Sequence, residues 1–205
     1  MTKIPAFLLC CVAFAACGDA EESPTTAEVP ETAAPVEPAA PGPEPAATPS
    51  EPQEIGRSIT LAGYRGIRIG EAPGGAAQDW GFADNRSYLD ECRIWTSEGM
   101  PGVYLMVGED GSGPVVNRIT ASSNQSASAH TPEGIEVGST EAEVRAAYSP
   151  LEEQLHKYEA PPAKNLYYRP ESGDTAFRFE IGEDGRVSAF HVGREPFLSY
   201  VEGCS

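Results

Sequence analysis

The chain repeats itself, and that repeat limits the folds open to it. Gly66-Ile67-Arg68-Ile69-Gly70 recurs 68 residues on as Gly134-Ile135-Glu136-Val137-Gly138. Tyr104-Leu105-Met106-Val107-Gly108-Glu109-Asp110-Gly111 recurs 74 residues on as Arg178-Phe179-Glu180-Ile181-Gly182-Glu183-Asp184-Gly185. Val116-Asn117-Arg118-Ile119 returns 71 residues on as Val187-Ser188-Ala189-Phe190. Three landmarks in one order imply two copies of one supersecondary unit of about 70 residues. They place the copies at 55–131 and 132–205, one folded unit in all. The unequal offsets imply about six extra residues in the middle of the second copy and a hairpin tip shorter by three.

Each copy carries helix and strand signals. Thr140-Glu141-Ala142-Glu143 fits a capping box, in which the Thr140 hydroxyl takes the Glu143 amide and the Glu143 carboxylate reaches back. Glu141 and Arg145 stand at i and i+4, Val144, Ala147 and Tyr148 form an apolar stripe, and Pro150 ends the helix. The matching stretch Glu71 to Phe82 contains Pro73, Gly74 and Gly75, so the first copy has a degenerate helix. Residues 151–159 fit either a helix face or the start of a strand. Val103, Leu105 and Val107 alternate with Tyr104 and Met106, and Phe177, Phe179 and Ile181 with Arg178 and Glu180. Each run ends in a Gly-Glu-Asp-Gly turn followed by another apolar run, which reads as a hairpin. The expected fold class is α+β: two tandem α/β repeats forming a mainly antiparallel sheet of six to eight strands, with short helices on one face.

The N-terminal quarter is of another kind. Lys3 precedes the apolar run Ile4 to Ala16, which is too short to span a bilayer and reads as a secretory signal over 1–16. Phe14-Ala15-Ala16-Cys17 resembles the bacterial lipobox, in which Cys17 would be lipidated. An ordinary secretory signal with a chance cysteine is the alternative. Residues 18–54 hold nine Pro, eight Ala and nine Asp or Glu, with no Lys, Arg or aromatic residue. Such a stretch buries too little apolar surface to offset chain ordering, so 17–54 reads as a disordered tether. Its reach is roughly 110 Å if polyproline-like and about 33 Å as a flexible coil. A filler linker with no reach requirement fits equally well.

Removal of the signal leaves Cys17, Cys92 and Cys204. With Cys17 lipidated, Cys92 and Cys204 are most simply one disulfide in an oxidising compartment. The net charge of −17 is shared equally by the tether and residues 55–205, at −9 each, with +1 from Lys3. An acidic domain without a basic stripe argues against nucleic acid and against surface binding to anionic lipid, and fits solubility or a basic partner face.

Chemistry-bearing motifs are few. There is no Gly-x-Ser-x-Gly elbow, no His-Glu-x-x-His and no phosphate-cradling loop. His130, His156 and His191 are isolated in sequence, and the two Glu-Asp-Gly stretches lack the alternating oxygen ligands of a calcium loop. No catalytic residue, metal or cofactor is therefore expected.

Gly134-Ile135-x-x-Gly138-Ser139-Thr140-x-x-x-Val144 before a short helix and a strand meander resembles the small lipoprotein of the outer-membrane β-barrel assembly machine. In tandem, the pattern is similar to the β-lactamase inhibitor protein, built from two such repeats, and the whole domain is similar to bacterial envelope lipoproteins. The resemblance implies a protein-binding fold that uses the sheet face its helices leave open. If Leu105 and Phe179 point to the helices, Tyr104, Met106, Arg178 and Glu180 point away, and neighbouring-strand parity adds Arg93, Trp95 and Tyr167. Such residue types on one exposed face are those enriched at interfaces. A merely solvated face, or one covered by loops, is the alternative.

The expected function is thus a membrane-tethered periplasmic protein-binding module, an envelope assembly factor or inhibitor. Its partner would be an unidentified envelope protein, and its anchor an N-terminal lipid in the outer membrane, facing the periplasm. The alternatives are a cell-wall or glycan binder, needing Trp80, Trp95, Tyr167 and Tyr168 as a stacking platform, and an envelope enzyme of unrecognised type, needing a cleft of convergent polar groups.

Overall fold

A computed structural model describes Gly56 and residues 58–89, 92–109, 111–122 and 129–204. The signal, Cys17, the tether and Asp110 lie outside the described residues.

Each copy is one helix followed by a four-stranded meander. A small hairpin, β1 (Gly63–Tyr64) and β2 (Ile67–Arg68), precedes α1 (Gly74–Asp79), β3 (Ala83–Leu89), β4 (Cys92–Thr96), β5 (Val103–Glu109) and β6 (Pro114–Ser122). The second copy runs α2 (Glu141–Ala147), β7 (Glu152–Leu155), β8 (Lys164–Tyr168), β9 (Thr175–Ile181) and β10 (Val187–Arg194). Of the ambiguous stretch 151–159, only Glu152–Leu155 is a strand, and none of it is helix. The two meanders join through their last strands into one antiparallel sheet, in the order β3-β4-β5-β6-β10-β9-β8-β7. At this seam Thr120 lies opposite His191. These are the same position in the two copies, so the order is two-fold symmetric about that pair.

The glycine landmarks have one role in both copies. Gly70 donates its N–H to the Val116 carbonyl at 2.8 Å, and Gly138 donates to Val187 at 2.8 Å. The strand residues answer, Val116 donating to Glu71 at 2.9 Å and Val187 to Ser139 at 2.8 Å. The clasp needs φ of +83° at Gly70 and +96° at Gly138, a region that disfavours any Cβ. It ties the start of each seam strand to the chain just before each helix.

The helices differ as their sequences imply. At α2 both halves of the capping box are formed, and Arg145 pairs with Glu141 at 2.6 Å. At α1 no side-chain cap is formed, and Ala77 is its buried residue. Both pack on the same sheet face. That face is apolar along single ladder rows, one of which runs Trp95, Leu105, Ile119, Val192, Phe177 and Tyr168 from β4 to β8. Tyr148, just past α2, sets its ring 4.9 Å from Tyr168 and 5.2 Å from Phe179.

This register corrects part of the expected binding face. Trp95 pairs with Leu105 and Arg93 with Val107, so both belong to the helix side, where Trp95 packs against the core. Side chains alternate with period two, and a parity counted without the register can be wrong by one residue, which reverses the face. Tyr104, Met106, Tyr167, Arg178 and Glu180 do lie on the other face.

Candidate functional site

The row behind Trp95 and Leu105 runs Thr96, Tyr104, Thr120, His191, Arg178 and Tyr167 across six strands. It is not an open surface. Beyond β10 the chain turns back over this face as a strap, residues 195–204, containing the 3-10 helix Phe197–Ser199. Leu198 is fully buried against Tyr167 and Ala176. Phe197 packs on Met106 and the Cys92–Cys204 disulfide, whose Cα atoms are 5.4 Å apart. The expectation of an exposed face therefore fails for Met106, Tyr167 and Arg178, all of them buried. The covered-face alternative holds over that half of the sheet. Gly108 makes the strap possible, because a Cβ there would lie 2.7 Å from the Phe197 ring. A glycine inside a strand is the sequence signal of such close approach.

The strap is held from below by two arginines. Arg118 donates from Nη1 to the carbonyls of Phe197 at 2.9 Å and Tyr200 at 2.6 Å, and Arg178 donates to Tyr200 at 3.3 Å. Arg178 also pairs with Glu180 at 2.6 Å. His191 stands between these groups, its Nδ1 2.8 Å from the Thr120 hydroxyl and its Nε2 2.9 Å from Glu180. Arg178 Nη2 also lies 3.0 Å from Nε2; with Nε2–H donating to Glu180 and Thr120 donating to Nδ1, both ring nitrogens are satisfied and Arg178 donates to Glu180 rather than to the ring.

The electrostatics follow from burial and neighbours. Burial, reinforced by the Arg178 charge, pushes His191 down to about 3, so the imidazole is neutral. Burial acts to raise Glu180, but the hydrogen bond from His191 and the charge of Arg178 outweigh it and hold the carboxyl at about 2. Burial lowers Arg118 to about 10, which leaves it charged at neutral pH.

Thr120, His191 and Glu180 form the hydroxyl, imidazole and carboxylate chain of a nucleophilic triad. Its chemistry is another matter. Thr120 is fully buried and His191 is far too weak a base at neutral pH, so this chain orders the sheet rather than activating the hydroxyl. Thr120, His191 and Arg118 were not singled out as site residues, since their partners lie 71 to 82 residues away. The only sequence hint is the repeat offset, which makes Thr120 and His191 equivalent.

Between the strap and β4–β5 the same face opens into a cleft of about 780 Å³. Ile94, Met100, Tyr104 and Val201 supply apolar and aromatic walls, and Arg118, Arg178, Glu180 and His191 lie in its floor. Trp80, Trp95, Tyr167 and Tyr168 do not form the platform a glycan binder needs. Tyr167 lies under the strap, Trp95 and Tyr168 face the helices on strands five places apart, and Trp80 caps α1. Among the described residues no cluster suited to a metal ion is found, and no helix is long and apolar enough to cross a membrane. No protein-family model, curated protein or solved structure matches this chain.

Proposed function

We propose that this chain is a lipid-anchored, membrane-tethered periplasmic protein-binding module, and that its partner enters the cleft beside the strap. The observation that carries this reading is the cleft itself, on the sheet face away from both helices. Its walls combine Tyr104 with Ile94, Met100 and Val201 over buried charge, and its volume suits the insertion of a few side chains. The lipobox-like Cys17 and the Pro-rich tether support an anchored module that searches the space above a membrane. The open part of the face is smaller than the sequence suggests, because the strap takes the other half.

The test is crosslinking in cells with the full chain, comparing wild type with Tyr104→Ala and with Val201→Arg, each first shown to keep its thermal stability. A defined envelope protein captured by wild type, with capture reduced at least tenfold by both variants, is the expected result. Equal capture by wild type and both variants would remove the cleft from the interface.

A further inference from the structure

One cation in the cleft has no direct ion pair. Among the described residues, Arg178 has Glu180 at 2.6 Å, while no carboxylate lies within 4.0 Å of the Arg118 guanidinium. Arg118 is only 2 % exposed, its Nε has no hydrogen-bond partner, and its Nη1 contacts are neutral backbone carbonyls. The Tyr104 phenol is a further neutral partner, and the Glu180 charge, already engaged by Arg178, acts on Arg118 only from beyond ion-pair distance; a buried cation without a direct ion pair is costly, and the cost falls when an anion arrives. Since Arg118 lines the cleft, the group that would complete it comes from outside the chain.

We infer that Arg118 anchors the free C-terminal carboxylate of an extended segment of the partner protein, with apolar residues of that segment against Ile94, Met100 and Val201. This rests on the protein-binding reading of the same cleft. Guanidinium and carboxylate form charge-assisted hydrogen bonds, and such a pair gains strength where water is excluded. The surroundings select a chain end. Arg118 is nearly sealed, so the anion must arrive end-on, whereas an acidic side chain in mid-segment would need room for chain on both sides. Glu98 and Glu202 also line the cleft, and Glu202 is already paired with Lys157 at 3.3 Å. These carboxylates repel a segment acidic along its length and tolerate one that brings a single charge to the floor.

The experiment uses the wild-type protein and a pool of acetylated six-residue peptides, randomised over apolar and neutral polar residues. The pool is synthesised once with free C-termini and once with C-terminal amides, and a third pool carries one internal Glu and an amide end. Binding is read from chemical-shift changes of the Arg118 Nε–H and of the Tyr104 amide. The free-acid pool is expected to yield binders at least tenfold tighter than their amides. Arg118→Gln should abolish the difference, and Arg118→Lys should restore part of it. Equal binding of acids and amides, equal binding of the internal-Glu pool, or no shift with any pool each overturns the inference. In any of these cases, partner capture that still depends on Tyr104 and Val201 leaves the binding reading standing. A tenfold preference for the acids without any captured partner would instead sink that reading and keep the carboxylate site.

Discussion

His191 is held neutral inside the sheet, and its titration links this residue to the stability of the whole. In the unfolded chain its imidazole takes a proton near pH 6.5, whereas in the fold it resists protonation down to about 3. A lowered folded pKa means that the unfolded state binds more protons below pH 6.5. Stability is then fully present above that value and is lost as pH falls toward 3, with a slope of up to about 1.4 kcal/mol per pH unit from this single proton. Glu180, held at about 2, adds a loss of the same sign only below the ordinary carboxyl range. Urea unfolding between pH 7 and pH 4.5 should therefore show the His191 slope in wild type and a flatter curve in His191→Gln. Parallel curves would mean that the ring is not the titrating group. Nothing near His191 in sequence announces this role. The residues that lower its basicity, Arg178 and Arg118, reach it by strand register, which no local pattern states.

At the scale of elements, local chemistry and outcome agree most closely at α2. Its capping box joins Thr140 Oγ1 to the Glu143 amide at 3.3 Å and the Glu143 carboxylate to the Thr140 amide at 2.7 Å. Thr140→Ala should cost about 1 kcal/mol in denaturant unfolding, while Thr140→Ser should stay within a few tenths of wild type. A Thr140→Ala protein as stable as wild type would show that packing of Val144 and Tyr148 alone holds the helix. The helix, both hairpins and the tandem order were legible because short-range signals encode them: caps, alternation and turn glycines. The face taken by β4 was not, because Arg93 and Trp95 read as well on either side until pairing with Val107 and Leu105 fixes them. Glu152 to Leu155 were ambiguous for a related reason. β7 is an exposed edge strand, and an edge need not carry the apolar alternation that marks a strand half-buried in a core.

For the molecule as a whole, the sheet carries two different covers, helices on one side and the strap on the other. The disulfide joins residues 112 apart and pins the strap where it meets β4. Closing a loop of that size is worth about 4 to 5 kcal/mol by chain entropy and usually less in practice. Cys92→Ala with Cys204→Ala should lower stability by about 2 to 4 kcal/mol and open the strap to proteolysis at Phe197 or Tyr200 before the sheet unfolds. Cleavage only upon global unfolding would show that Arg118, Arg178 and Leu198 hold the strap unaided. The cysteine pairing was legible by elimination. The strap was not, because its burial depends on Gly108 lying beneath Phe197. The same bond also sets a chronology. A chain emerges N-terminus first, so Cys92 appears with β4 and stays without its own partner until Cys204 follows. At ordinary elongation speeds that interval is roughly 6 to 20 seconds, and an oxidant that meets the chain within it can pair Cys92 only with a thiol other than Cys204.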